Sequence, residues 1–199
     1  MLAIDLNTRF LSGLAGTNLE VREADVRDAA VEPDSFDLAH ARFVLIHVQD
    51  WAAALAAMIR CLKPGGWLVL EEPDFSGSRS FAGPAELCRA FHNVHRTIEA
   101  MFSQQGLDHA FGARLPALLQ DREFEGTATE NDAPIVPGGS PFARMMGLST
   151  YQLRDKYVAT GLATGRDIEL YAAFTGERAC WATYHATVSA SGRKPRTVA

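Results

Sequence analysis

The sequence lacks the features that mark several common functional classes. Its three cysteines, Cys61, Cys88 and Cys180, are far apart and form no Cys-x-x-Cys pair, so neither a zinc site nor a disulfide framework is indicated. No stretch approaches the roughly 20 consecutive apolar residues of a membrane-spanning helix. Acidic residues outnumber basic ones, 24 to 19, and the one basic cluster is at residues 193–196. Nucleic acid, membrane and bound metal are therefore not expected as partners, and the unpaired thiols favour a cytoplasmic location.

The apolar pattern of the first 75 residues alternates between strands and helices. The predicted strands are 2–4, 19–24, 36–43 and 67–71. The predicted helices are 7–14, with Gly16 as its stop, and 50–62, with Asp50 as its N-cap. This order predicts an α/β fold, and the continuous apolar run at 67–71 is typical of a parallel strand covered on both faces.

The pattern changes at about Gly83, where longer helical segments begin. Further helices are expected at 84–102, 115–119 and 142–160, and further strands at 127–136 and 180–189. Residues 1–189 are accordingly assigned to one domain. Residues 190–199 are small, basic and proline-containing, and they are expected to form a loose tail.

Four local signals follow one another along the first part of the chain. An acid ends a strand in Ala3-Ile4-Asp5-Leu6, and a second acid ends the next strand in Glu23-Ala24-Asp25-Val26. The third signal is FDLAHARFVLIHVQD over residues 36–50, and the fourth is LKPGGWLVLEE over residues 62–72. Together they resemble the class I S-adenosylmethionine-dependent methyltransferases of the small-molecule type, including those of quinone biosynthesis. The resemblance covers residues 1 to about 75.

The resemblance implies a fold, a cofactor and a set of binding residues. The fold is a Rossmann-like, mostly parallel sheet with helices on both faces and an antiparallel last strand, and the cofactor is S-adenosylmethionine. Asp5 would accept both ribose hydroxyls, and Asp25 would accept the adenine amino group. The backbone N–H of Val26 would meet a ring nitrogen, and Arg42 would lie near the methionine part. Ligands of open α/β sheets bind outside the carboxyl ends of the strands, which agrees with these positions.

Each side chain in this set also has a structural interpretation. Asp5 could cap the helix that follows it, and Asp25 could be an ordinary turn acid. Arg42 could be a surface arginine paired with Asp37 or Asp50. The residues themselves leave both interpretations open for each position, and no catalytic residue is assigned.

Other polar side chains give weaker indications. Glu71, Glu72 and Asp74 lie at or just after a strand end, where carboxylates could act as a base or bind a metal ion, although solvated or N-capping acids are favoured. His92 and His95 are three residues apart on one helix, but no third metal ligand accompanies them. Substrate contact or surface placement is expected for this pair.

The aromatic residues divide between a pocket and the core. His47 lies in the segment that lines the cofactor pocket of the family, but a histidine packed near the helix start is favoured over a catalytic one. A group of phenylalanines could line an apolar acceptor pocket, although core packing is expected for most of them. These are Phe91, Phe102, Phe111 and Phe124.

The first strand of the family and its Gly-x-Gly-x-Gly turn have no counterpart in the sequence. In the strand order of the family, that strand lies between the strand ending at Asp5 and the one starting at Phe36. Without it, two central strands either keep unpaired backbone groups or are forced to pair directly with each other. Each unpaired buried group costs about 1–3 kcal/mol against a total stability of about 5–15 kcal/mol. An N-terminally truncated chain of low stability is therefore expected, with weak or no binding of S-adenosylmethionine.

The predicted function is methyl transfer from S-adenosylmethionine to a small-molecule acceptor, chiefly by proximity and desolvation. Residues 76–189 would supply the acceptor lid and the last strands, and a homodimer is compatible with the pattern. The acceptor, and the atom that is methylated, are not readable from the sequence. The missing glycine turn supports an alternative, a non-catalytic remnant or regulatory partner. A nicotinamide-dependent oxidoreductase is disfavoured because a Tyr-x-x-x-Lys pair is lacking.

Overall fold

The computed structural model describes residues 1–11, 13–14 and 18–196. The strands in these ranges are β1 Leu2–Asp5, β2 Glu20–Glu23, β3 Phe36–Arg42, β4 Leu62–Asp74, β5 Arg79–Ala82, β6 Glu125–Asp132, β7 Val136–Pro137, β8 Trp181–Thr183 and β9 Ala186–Arg193. The helices are α1 Trp51–Cys61, α2 Ala85–Gln104, α3 Leu115–Gln120, α4 Pro141–Gln152, α5 Arg154–Ala159 and α6 Gly165–Gly176.

The main sheet has the strand order β3-β4-β9-β6. Strand β4 is parallel to β3, and β9 is antiparallel to both β4 and β6. Strands β3, β4 and β6 therefore run in one direction and β9 runs in the opposite one. This arrangement confirms the predicted sheet of mostly parallel strands with an antiparallel last strand.

Strands β1 and β2 form a separate parallel pair, with Asp5 opposite Glu23. Within the described part of the chain, β1 has no strand partner besides β2, and β3 has none besides β4. A cavity of about 410 Å³ lies between the facing edges of β1 and β3, and α1 forms part of its wall. The two strands are therefore separated and do not pair with each other directly.

The hydrophobic core lies between the main sheet and the helices. Helix α1 contacts β3 and β4, and α3 contacts β6 and β9. Helix α6 contacts both α2 and α4, and a cluster of aromatic rings is buried beside these helices. The centre of that cluster is fully buried and consists of Phe91, Tyr171, Phe174 and Tyr184. Each such side chain contributes about 1.5–3 kcal/mol of burial free energy.

The structure corrects two of the predicted elements near the start of the chain. Residues 8–10 form a short 3₁₀ turn capped by Asn7, in place of the predicted helix over 7–14. The predicted stop at Gly16 lies outside the described residues. Lys63-Pro64-Gly65-Gly66 does not separate helix from strand, because β4 already begins at Leu62.

The Lys-Pro-Gly-Gly segment instead forms a bulge within β4. Phe36 of β3 pairs with Leu62, whereas Leu38 pairs with Trp67, so β4 has extra residues between the two pairs. Gly65 has a φ of +79°, a backbone conformation that strongly favours glycine. The glycine serves the bulge rather than a helix cap.

The C-terminal half differs from the prediction in several elements. The helix predicted over 142–160 is divided at Leu153 into α4 and α5. Helix α6 was not predicted, although Thr164 and Asp167 form a capping box at its start. The strand predicted over 180–189 is divided into β8 and β9, which lie in different sheets, and β9 ends at Arg193, four residues beyond the predicted boundary.

The basic segment after β9 is held against the bulge of β4 and is not a loose tail. The Lys194 ammonium donates to the Leu62 carbonyl oxygen at 2.6 Å and pairs with Asp34 at 2.9 Å. The backbones of Lys194 and Gly65 are also hydrogen-bonded. These contacts correct the expectation of a loose tail for residues 190–194, whereas residues 197–199 lie outside the described part of the chain.

Candidate functional site

A cavity of about 460 Å³ lies at the carboxyl ends of β1 and β2. Its size falls within the range of about 300–1,000 Å³ typical of small-molecule sites. One wall comes from the two strand ends and the other from the loop that follows β3. The lining residues are Ile4, Asp5, Leu6, Ala24, Asp25, Val26, Arg27, Phe43, Val44, His47, Val48, Gln49, Gln105 and Leu107.

Asp5 is an exposed carboxylate at the end of β1. Its Oδ1 accepts a hydrogen bond from the backbone N–H of Asn7 at 2.8 Å. The N-cap of the 3₁₀ turn that follows is Asn7, whose side chain accepts from the N–H of Arg9. The interpretation of Asp5 as a helix cap is therefore wrong, and Asp5 is one of the residues that line the cavity.

Asp25 lies at the corresponding place after β2. Its Oδ2 is 2.6 Å from Nη2 of Arg27, and its Oδ1 accepts from both Nε and the backbone N–H of Arg27, each at 2.9 Å. These bonds lower the pKa of Asp25 to about 2. Asp25 is thus a turn acid and a lining residue at the same time. Val26 follows it and lines both cavities.

Arg42 is not among the residues that line the cavity. Its side chain is 60% exposed, and its Nε lies 3.7 Å from Oε2 of Glu71. Neither of the partners considered from the sequence is used, because Asp37 pairs with Lys63 and Asp50 caps α1. The structure therefore brings Asp5, Asp25 and Val26 together and leaves Arg42 outside.

The loop after β3 carries the second wall and contains a strained residue. Phe43 has a φ of +55°, which is uncommon for a residue with a side chain. The ring of His47 stacks on Phe102 with a centroid distance of 6.0 Å, and desolvation lowers the pKa of His47. A neutral imidazole is therefore expected near pH 7.

Glu72 anchors this loop, a role that was not predicted from the sequence. Its carboxylate is fully buried and accepts hydrogen bonds from the backbone N–H groups of Val44, Leu45 and Ile46. The sequence pattern favours a solvated or N-capping acid. A solvated acid is wrong for Glu72, whereas its donors do lie at the start of a 3₁₀ turn, Leu45–His47. One signal was available, since successive side chains of a strand point to opposite faces, so Glu71 and Glu72 must have different surroundings.

The neighbouring acids have local roles. Glu71 accepts from His40 at 2.8 Å, and Asp74 accepts from the backbone N–H of Ser76 at 2.8 Å. Within the described ranges, no group of three or more His, Cys, Asp or Glu side chains is placed to hold a metal ion.

The two histidines of α2 have different environments. His92 is exposed and lies 3.2 Å from the Ser80 hydroxyl. His95 is buried, 3.4 Å from the Tyr171 hydroxyl, so surface placement is wrong for it. The four phenylalanines considered for an acceptor pocket are all buried, which confirms core packing for Phe91, Phe102, Phe111 and Phe124.

A series of aromatic rings continues from the cavity wall into the helical layer. The His185 ring lies 6.0 Å from Phe43, 5.0 Å from Phe75 and 4.9 Å from Phe142. Its Nδ1 is buried and has no hydrogen-bond partner among the described residues. Burial lowers the pKa of His185 to about 4, so this ring is neutral at pH 7.

An open sheet with a cavity at the carboxyl ends of parallel strands, and with aspartates among the residues that line it, is typical of nucleotide-binding α/β proteins. The profile of the methyltransferase domain family matches residues 4–114. The chain therefore belongs to the methyltransferase domain family.

Individual relatives agree with this assignment. The chain is 29% identical over 154 residues to methyltransferase str3 of Strobilurus tenacellus, a match that covers 73% of this chain and 54% of the relative. It is 27% identical over 139 residues to methyltransferase str2 of the same organism, with 69% of this chain and 50% of the relative covered. The chain thus spans about half the length of the curated relatives it matches.

Solved structures show the same fold at low sequence identity. Phosphoethanolamine N-methyltransferase 2 of Haemonchus contortus, solved with phosphomonomethylethanolamine and S-adenosylhomocysteine, matches with a TM-score of 0.56 and 15% identity over 98% of this chain and 43% of its own. A putative methyltransferase from Bacillus halodurans has a TM-score of 0.53 and 15% identity, covering 98% and 82%. The fold is thus the Rossmann-like methyltransferase fold. No helix within the described residues has the length and hydrophobicity to span a bilayer.

Proposed function

We propose that the protein transfers a methyl group from S-adenosylmethionine to a small-molecule acceptor. The observation that carries the proposal is the convergence of Asp5 and Asp25, from adjacent parallel strands, on one cavity of suitable size. Membership of the methyltransferase domain family and the likeness to methyltransferases solved with S-adenosylmethionine or S-adenosylhomocysteine support it.

The residues at the strand ends fit the nucleoside part of this cofactor. A carboxylate offers about four lone-pair sites, and Asp5 shows one hydrogen bond, from Asn7, so it retains capacity for both ribose hydroxyls. Asp25 accepts three hydrogen bonds from Arg27, and the adenine amino group would use its remaining site. The Val26 backbone would meet the adenine ring. Because Arg42 lies outside the cavity, we do not assign the methionine end to it.

The cofactor supplies an electrophilic methyl group on a sulfonium ion. The chain contributes the wall of Phe43, Val44 and Val48, which excludes water from one side of the cavity. Desolvation and alignment of the acceptor account for most of the rate in such a reaction. We propose that the acceptor approaches from the aromatic side of Phe43, where His185 and Phe75 lie, under the helices of residues 76–189.

We further propose a cytoplasmic location and a homodimer. The three cysteines are free thiols, which supports a reducing, cytoplasmic environment. A homodimer, and the absence of nucleic-acid partners, are expectations from the sequence.

Equilibrium dialysis of the purified chain against S-adenosylmethionine, S-adenosylhomocysteine and NAD tests the proposal. We expect saturable binding of the first two ligands, weaker than micromolar because the two strand edges are open, and no saturable binding of NAD. Preferential binding of NAD would overturn the proposal. Binding of none of the three at millimolar concentration would favour a non-catalytic remnant.

A further inference from the structure

The Glu72 carboxylate is buried without a cation beside it. Its side chain has no exposed surface, and within the described residues no Lys, Arg or His nitrogen lies within 4.0 Å of it. A buried, unpaired charge is costly, so its partners must compensate for the lost hydration. Three backbone N–H groups supply that compensation. Oε1 accepts from Val44 at 3.0 Å and from Leu45 at 2.7 Å, and Oε2 accepts from Ile46 at 3.3 Å.

The three donors belong to one turn, which begins at the strained residue Phe43. The N–H of Phe43 donates to the Glu71 carbonyl oxygen at 2.8 Å and so continues the pairing of β3 with β4. Phe43 itself has a φ of +55°. A left-handed conformation at a bulky residue costs about 1–3 kcal/mol and persists where its surroundings determine it. The residues that donate hydrogen bonds to Glu72 follow Phe43 directly in the chain. Glu72 itself belongs to another strand, β4.

The same turn forms one wall of the cavity. Phe43, Val44 and His47 line it, and His47 is the last residue of the 3₁₀ turn Leu45–His47, whose first two residues are buried. A displacement of the turn would therefore move this wall relative to Asp5 and Asp25. Within the described residues, the hydrogen bonds to the Glu72 carboxylate all come from this turn, and none comes from the strand ends on the opposite side.

We propose that Glu72 is a positioning residue of the cofactor site. Its carboxylate fixes the turn of residues 43–48. It thereby sets the spacing between this wall and the opposite wall, which the ends of β1 and β2 form with Asp5 and Asp25. The part of this inference that concerns the cofactor rests on the proposed function. The part that concerns the turn does not.

The first experiment reads the turn without any ligand. In Glu72→Gln the shape is kept, but one acceptor oxygen is replaced by an NH₂ group that faces backbone N–H donors. We expect amide hydrogen exchange at Val44–Ile46 to become about 10- to 100-fold faster, which corresponds to the loss of hydrogen bonds to a charged group. Amide exchange in α3 and β6, which lie outside this turn, should become faster by a smaller factor, set by the loss of global stability in the variant. The control Asp37→Asn makes the same chemical change on exposed β3 and should leave residues 43–48 as they are.

The second experiment measures dissociation constants for S-adenosylhomocysteine by titration at a temperature where both variants are folded. We expect Glu72→Gln to bind at least about 10-fold more weakly than the wild type and Asp37→Asn to bind equally. Equal binding by Glu72→Gln, or a uniform rise in exchange across the chain, would overturn the positioning role. If the wild type itself binds no S-adenosylhomocysteine, the proposed function fails for this chain. The exchange result then decides the inference alone, with local release supporting it and unchanged exchange at 44–46 overturning it.

Discussion

Asp5 and Asp25 occupy equivalent places on adjacent strands but have different electrostatic surroundings. Asp5 is exposed and accepts from one backbone N–H, whereas both oxygens of Asp25 are engaged by Arg27. A ribose diol would find Asp5 ready to accept hydrogen bonds, and an adenine amino group would have to share Asp25 with a guanidinium. Asp5 is therefore expected to contribute more to binding than Asp25.

Substitution of Asp5 tests this ranking. Asp5→Asn removes a charged acceptor, and hydrogen bonds to charged groups contribute about 1.5–3 kcal/mol, so the dissociation constant for S-adenosylhomocysteine should rise about 10- to 100-fold. Asp25→Asn should raise it by a smaller factor. Asp28→Asn, a nearby exposed carboxylate outside the cavity lining, is the matched control. Equal effects of Asp28→Asn and Asp5→Asn in titration calorimetry would contradict the assignment.

His185 makes stability depend on pH. Burial lowers its pKa from 6.5 to about 4 in the folded chain, so below pH 6.5 the unfolded chain binds a proton that the folded chain does not. Stability contributed by the neutral ring is therefore present above pH 6.5 and is lost as the pH falls towards 4. Between pH 7 and pH 5 this amounts to about 2 kcal/mol.

His185→Phe removes the titrating group and keeps a ring among Phe43, Phe75 and Phe142. The loss of unfolding free energy between pH 7 and pH 5, measured by urea denaturation, should be about 2 kcal/mol smaller in this variant than in the wild type. The difference isolates His185, because His95 and the other titrating groups are common to both chains. Identical pH profiles would show that the ring of His185 is accessible to protons.

At the level of elements, the sequence predicts the first strands and helix α1 better than the turns and the later elements. Strands β1, β2 and β3 and helix α1 lie close to their predicted places, because apolar periodicity and the Asp50 cap are local signals. The bulge at Gly65 was missed because it depends on Lys194, which is more than 120 residues away in the chain. Helix α6 was missed although its capping box is local.

Close backbone approach fixes the 3₁₀ turn before α3 against β4. A Cβ on Gly112 would lie 2.6 Å from the Glu72 carbonyl oxygen and 3.1 Å from the Pro73 carbonyl carbon, and neither backbone atom can move freely. Gly112→Ala should lower the free energy of unfolding by about 1–3 kcal/mol. Gly77→Ala is the control, because a Cβ there meets nothing within 4 Å. Equal stabilities of the two variants in chemical denaturation would contradict the close approach.

The end of β9 is a second long-range element. Residues 190–193 pair with Trp67–Leu70 of β4, and Ala190 is buried. A chain ending at Ser189 loses these pairs and should lose its cooperative thermal transition, whereas a chain ending at Lys194 keeps them and should retain it. Cooperative unfolding of the shorter chain, monitored by circular dichroism, would restore the interpretation of residues 190–193 as a tail.

For the whole molecule, the β1–β2 pair and the main sheet face each other across a cavity, and β1 and β3 do not pair with each other. The family motifs in residues 1–75 predicted the fold class and the strand that each acid follows. They could not predict that Arg42 pairs with Glu71 outside the cavity, or that Glu72 rather than Glu71 is buried, because both depend on which face of β4 is covered. The motifs thus agree with the position of Asp5, Asp25 and Val26 in the cavity lining, and the binding of a nucleoside there stays a prediction. The opposite wall depends on tertiary contacts.

We propose that the cavity between these two walls is the S-adenosylmethionine site. Backbone amide NMR of the 199-residue chain, titrated to millimolar S-adenosylhomocysteine, tests it most directly because it detects and locates weak binding. We expect saturable changes in amide chemical shift concentrated in residues 4–6, 24–27 and 43–49, and no such pattern with NAD. Shifts that fall elsewhere, or the same pattern produced by NAD, would contradict it.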